Sequence, residues 1–184
     1  MTPPFHLATI FFLSCPSLLN CFLLYIVRDL ISFSHIKSFI FILDDAEKLG
    51  SVRRDIFRLS ETPSKVILKK DLWQMQNLSR MGNCGVFLKV QDEKSVSQYL
   101  SSVLQLNSFD SNIFKTLHWF IFLNKKRSLD NIYRYDSNVY LIIGDNKGGD
   151  MRQIVETYSV EEGVKIDKKI GTWSSEDRLG RKLK

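Results

Sequence analysis

Apolar residues along this chain follow two alternating periods. Leu19, Phe22, Leu23, Ile26, Val27 and Leu30 recur at the three-and-four spacing of one helix face, with Asn20, Arg28, Asp29 and Ser32 mainly opposite. The spacing predicts an amphipathic helix as the first element of the mature fold. "SFIFIL" (38–43) is a continuous apolar run, too short for a buried helix and rich in aromatic and β-branched residues, so it reads as a buried strand. "DDAEKLGSVRRDIFRLS" opens on acidic N-capping residues and sets Leu49, Val52, Ile56 and Leu59 on one stripe, predicting a helix that "TPS" breaks. "KVILKK" predicts a second strand, "DLWQMQNLSR" a short helix capped by Asp71, and "CGVFLKV" (84–90) a third strand. "DEKSVSQYLSSVLQL" predicts a helix with Val96, Leu100, Val103 and Leu104 inward. Residues 107–117 read as irregular with a helical turn, and "HWFIFL" (118–123) as a fourth strand.

Strands alternating with helices predict a parallel sheet covered on both faces and joined by right-handed crossovers. Past residue 123 the rhythm changes. "NVYLIIG" predicts a fifth strand and "DNKGGD" a turn, and "QIVETYSV" and "KIDKKIG" follow, joined by "EEG" with no helix between them. The expected fold class is therefore α/β: a mainly parallel sheet with helices on both faces, and antiparallel β-hairpins at the C-terminal end.

A chain of 184 residues, 44% hydrophobic, suits one domain with a proper core. Its formal charge of +6 comes from Lys and Arg in scattered pairs at 53–54, 69–70, 125–127 and 168–169, with no aromatic stacking motif beside them. They read as solvated surface, and no nucleic-acid partner is expected.

Residues 1–27 carry no formal charge. An apolar run from Leu7 to Leu13, followed by small residues, reads as a secretory signal peptide cut near Ser17, although its start offers only His6 and no Lys or Arg. A membrane span over 7–27, weakened by Pro16 and Asn20, and a buried N-terminal helix are the rival readings. The expected organisation is a leader over 1–17, an α/β domain over 18–175 and a tail over 176–184. Secretion implies oxidising surroundings. With Cys15 lost in the leader, Cys21 and Cys84 either pair or remain as two buried apolar thiols. "NLS" at 77–79 makes Asn77 a glycosylation acceptor.

Asp44 and Asp45 follow the first buried strand, where paired carboxylates suit a hard cation. A phosphoacceptor site would need a third carboxylate at the end of the third strand, but Asp92 falls late, and capping of the next helix is the favoured reading. "GDNKGG" (144–149) leads into a strand and matches neither GxGxxG nor GxxxxGK[ST], so it reads as a hairpin turn. His6, His35 and His118 are far apart, and no Gly-x-Ser-x-Gly elbow occurs. The residues point to a binding or assembly module, not an enzyme, with no cofactor or metal expected.

The C-terminal third has a recognisable order. "HWFIFL" with Trp119, "SNVYLIIGD", "IVETYSV" with Tyr158, and "KIGTW" with Gly171 and Trp173 resemble the amino-terminal extracellular region of insect variant ionotropic receptors, chemosensory relatives of ionotropic glutamate receptors. The specific part of the resemblance covers 118–173, and its general plan covers 18–175. The resemblance implies half of a periplasmic-binding-protein-like domain, outside the cell, in a ligand-gated ion channel that assembles with other receptor subunits or a co-receptor. It implies a role in subunit assembly or tuning. No long apolar span follows residue 27, and the ligand-binding domain would begin beyond "GTWSSEDRLG". The Gly-x-Trp thus reads as a junction and the chain as an N-terminal piece, touching the membrane only through a pore it does not contain. No agonist-binding residue is carried over. The alternative is a receiver-like cytosolic signalling domain binding Mg²⁺ through Asp44 and Asp45.

Overall fold

The structure is a computed structural model that describes residues 18–43, 50, 52–54, 62–75, 83–89, 93–107, 112–123, 137–144, 151–161, 164–176 and 178–179. Its elements are helix α1 (Leu18–Phe33), strands β1 (Ser38–Leu43) and β2 (Ser64–Leu68), a 3₁₀ helix (Lys69–Met75), β3 (Cys84–Lys89), α2 (Glu93–Leu106) and the single turn α3 (Ile113–Thr116). Then come β4 (His118–Leu123), β5 (Val139–Gly144), β6 (Arg152–Glu161), β7 (Val164–Ser174) and β8 (Arg178–Leu179).

The eight strands among the described residues form one sheet in the order β2-β1-β3-β4-β5-β6-β7-β8. Neighbours from β2 through β5 are parallel. From β5 onward they are antiparallel. The fold is α/β with a mixed sheet, as the change of rhythm after residue 123 predicts. Side chains alternate through the sheet. On β1, Ile40 and Ile42 join a core with Val96, Tyr99, Leu100 and Val103 of α2, Phe114 of α3 and Met75. Phe39, Phe41 and Leu43 join the opposite core, with Ile26, Val27, Leu30 and Ile31 of α1 and with Val52. The apolar runs are continuous because these strands are buried on both faces.

The end of α1 shows how local sequence and packing agree. The amide of Ile36 donates to Ile31 O at 3.2 Å and that of His35 to Ser32 O at 3.4 Å, the paired bonds of a Schellman motif. His35 takes the left-handed position (φ 51°), and Ile31 and Ile36 supply the accompanying apolar contact in the α1-face core. A Cβ at Gly85 would lie 2.7 Å from Ile36 Cδ1, so only glycine lets this turn settle onto β3 unshifted.

One expectation needs correction. The short helix expected from Asp71 is a 3₁₀ helix that starts at Lys69, and Asp71 (φ −104°, ψ 22°) lies at a kink inside it. Tertiary contacts dictate this path: Met75 is buried, its carbonyl accepts the Asn107 amide at 3.0 Å, and the Lys69 ammonium sits 4.5 Å from the Tyr99 ring centre. Cys84 is a free, buried thiol in the α2-face core, as the reading of it as a buried apolar group expects, and the side chain of Cys21 lies outside the described residues. Burial raises the pKa of Cys84, so it is an apolar core group. Arg178 and Leu179 pair with Ser174 and Trp173 of β7. Of the helix expected from Asp44, only Gly50 and residues 52–54 are described, and they are helical. The leader over 1–17 and the turn at 145–150 lie outside the described residues.

Candidate functional site

The four residues that carry the family resemblance fall in three places. Trp119 on β4 is fully buried in the α2-face core, and its indole N–H donates to Ile113 O at 3.0 Å. Gly171 and Trp173 lie inside β7, and both are buried. Tyr158 on β6 is half-buried opposite Ile166. Asn77 lies outside the described residues. Trp119 and Trp173 are therefore structural anchors on opposite faces, and Tyr158 is the half-buried one of the four.

The Gly-x-Trp is a closing device of the sheet. Between Ile154 and Val155 the register of β6 against β7 shifts: Ile154 faces Gly171 and Val155 faces Lys169, leaving Ile170 over as a bulge. Bulges increase strand twist and re-aim the residues beyond them. Past it, Trp173 enters the α1-face core, and its indole N–H donates to Asp29 Oδ2 at 2.8 Å. The last long strand is thereby tied to the first helix across 144 positions.

Two regions can recognise something else. One is at the carboxyl ends of β1 and β3. The crossover from β1 goes outward to β2, and β3 lies on the other side of β1, so the strand order reverses here, a location that favours ligands in open α/β sheets. Leu43 and half-buried Lys89 end the two strands. Asp44, Asp45 and Asp92 follow in the chain but lie outside the described residues. Among the described residues no cluster of His, Cys, Asp and Glu could hold a metal.

The other region is the corner of the α1 face at the amino ends of β4 and β5. His118 and Tyr140 are half-buried there, and their rings lie parallel, 6.5 Å apart. Both stack on Phe120, at 6.4 Å and 5.3 Å. In the same row Tyr140 faces Glu156 on β6, and Glu156 faces exposed Lys168 on β7. Burial raises the pKa of Tyr140, and the negative charge of Glu156 raises it further. Burial lowers that of His118, whose enclosed Nδ1 has no hydrogen-bond partner among the described residues. The corner presents a neutral imidazole and a neutral phenol, each able to donate and to accept a hydrogen bond.

This sets a pH dependence. In the unfolded chain His118 titrates at its ordinary value near 6.5, and in the fold it titrates lower. Its stabilising contribution is present above 6.5 and is lost as pH falls through the folded value, because the unfolded state then binds the extra proton. Urea unfolding at pH 7.5 and pH 5 is expected to show a larger loss for the native protein than for His118→Phe. Equal losses in the two proteins would remove His118 as a contributor.

The sequence flags His118 only as a lone histidine beside Trp119. Its partners Tyr140 and Glu156 are distant in sequence, and only strand register brings the three together. Compared with known proteins, the chain matches no protein-family model and no curated protein.

Proposed function

We propose that this chain is the amino-terminal extracellular lobe of a chemosensory ionotropic receptor, acting in subunit assembly or tuning by surface complementarity and not by chemistry. One observation carries this reading: in 118–173, two parallel strands give way to an antiparallel hairpin whose return strand holds Gly171 and Trp173 in one continuous sheet. That is the order of elements on which the family resemblance rests. In this reading the lobe is half of a periplasmic-binding-protein-like domain. A cleavage near Ser17 would leave both Asp29 and Trp173 in the mature lobe, which would keep their tie. The partners are other receptor subunits or a co-receptor.

Expression through an insect-cell secretory pathway tests this. The medium is expected to hold a product that begins near Leu18 and carries a glycan lost in Asn77→Gln. A cytosolic product that retains Met1 would count decisively against the receptor reading. Reading the genomic sequence downstream of Lys184 is the second arm: the proposal expects a frame encoding a two-lobed domain and three apolar spans.

A second reading draws on the reversal of strand order beside β1, where Asp44 and Asp45 follow Leu43. A receiver-like domain would hold Mg²⁺ with that pair. The end of β3 offers Lys89 where this reading needs a phosphoacceptor carboxylate. Acetyl phosphate labelling that depends on Mg²⁺ would favour it, and absence of labelling removes it.

A further inference from the structure

We infer that the α1 face of the β6–β7 hairpin packs on the same face of a second copy of this chain, about a two-fold axis running along the hairpin. The inference does not depend on the receptor reading. Burial on this face falls off in one direction. Phe122, Ile142 and Ile154 lie side by side on β4, β5 and β6, and all are buried in the α1-face core. In the next row Phe120 is buried, Tyr140 and Glu156 are half-buried, and Lys168 is exposed. One row further, Tyr158 and Ile166 are half-buried opposite each other. Two residues beyond Ile166 on β7, Val164 is 46% exposed, and Val160, left over at the second shift of register, is 43% exposed. The core under α1 thus ends near Phe120. The strip beyond it leaves a tyrosine and three aliphatic side chains partly in water, and tyrosine with apolar neighbours is what interfaces favour.

Charge selects the occupant. The charged side chains of this strip are Glu156 and Lys168, which face each other across β6 and β7. Among the described residues neither forms an ion pair within the chain. Asp167 and Lys169 alternate to the other face of β7, where Asp167 accepts the Thr157 hydroxyl at 2.8 Å. A strip with one acid and one base side by side is its own electrostatic complement. A two-fold axis between β6 and β7, parallel to both, lays β6 of one copy over β7 of the other. Each Glu156 then meets the second copy's Lys168, and each Tyr158 meets the second copy's Ile166, because both pairs sit in register across the same two strands. Such a contact is isologous and closed. It is also a common sheet geometry, with two faces about 10 Å apart and strands roughly aligned. A partner strip of a single charge sign would set like charge against either Glu156 or Lys168.

Sedimentation velocity of the full chain is the readout. The strip falls short of the roughly 20–30 residues a side of a standard interface, so the native chain is expected to pass from monomer to dimer between about 10 µM and 1 mM. Glu156→Lys and Lys168→Glu are each expected to weaken the dimer at least about tenfold when alone, since each sets like charges opposite. Mixed in equal amounts, the two variants are expected to pair with each other at least as tightly as the native chain, because every charged contact is then between opposite signs. An attraction made only inside one chain would not be restored by mixing. The inference is overturned if the native chain stays monomeric up to about 1 mM, if either variant dimerises as the native chain does, or if mixing restores nothing. Should a charge variant lose its native circular dichroism, Tyr158→Ser decides: it is expected to weaken the dimer at least about fivefold, and an unchanged dimer overturns the inference.

Discussion

Replacing Phe87 with alanine is expected to cost about 3–5 kcal/mol of folding stability, the range for deleting a fully buried aromatic side chain. Phe87 lies at the middle of β3 and is 0% exposed. Its ring meets Phe120 at 4.9 Å and Phe41 at 6.2 Å in parallel stacks, Phe39 at 5.6 Å edge-on, and Phe122 at 6.4 Å. Phe41, Phe87, Phe120 and Tyr140 occupy one row across β1, β3, β4 and β5. Backbone pairing holds these strands about 4.8 Å apart, so the neighbouring rings cannot close over the space left behind. Each lost ring pair removes about 0.5–1.5 kcal/mol beyond the area term. Equilibrium urea unfolding measures the effect, and Phe87→Leu, which keeps much of the volume, is expected to lose clearly less. A loss below about 1 kcal/mol for alanine would contradict the packing described, because exposed or collapsible sites give values of that size.

The second large effect is at Trp173. Alanine there is also expected to cost about 3–5 kcal/mol, since the side chain is 1% exposed in the α1-face core. The consequence differs from that at Phe87, because Trp173 joins two distant parts of the chain. Without its indole, Asp29 loses a bond of 2.8 Å, and α1 loses its tie to β7. Amides in 26–31 are therefore expected to exchange faster by more than global destabilisation alone explains, as in local opening. Trp173→Phe retains an aromatic ring but not the donor, and is expected to cost about 1–3 kcal/mol, part of it from the hydrogen bond. If Trp173→Ala leaves the exchange of α1 unchanged relative to Phe87→Ala at equal stability, the tie does not hold the helix.

Much of the fold is legible in the chain. "SFIFIL" and "HWFIFL" match β1 and β4 residue for residue, and the periodic face from Leu19 to Leu30 lies within α1. The antiparallel return after "NVYLIIG" follows from connectors with no helical pattern, since parallel neighbours need a long crossover and hairpins do not. Asp71 was misleading because a capping residue ahead of an apolar pattern is a weak signal beside a buried Met75 and the Lys69–Tyr99 contact. The Gly-x-Trp reads locally as the end of a strand, yet β7 continues through it to Ser174.

The candidate site is far less legible. His118, Tyr140, Glu156 and Lys168 carry no shared motif, and each on its own is an ordinary residue of a strand. They become a group because parallel pairing sets Phe120 against Tyr140, and antiparallel pairing then sets Tyr140 against Glu156 and Glu156 against Lys168. Local spacing suffices for which segments become helix or strand and which strands are buried on both sides, because those periods arise within a few residues. Strand order, the bulge at Ile170 and the face each aromatic joins come from long-range pairing. They depend on contacts such as Asp29 with Trp173, whose partners lie 144 positions apart and leave no periodic trace.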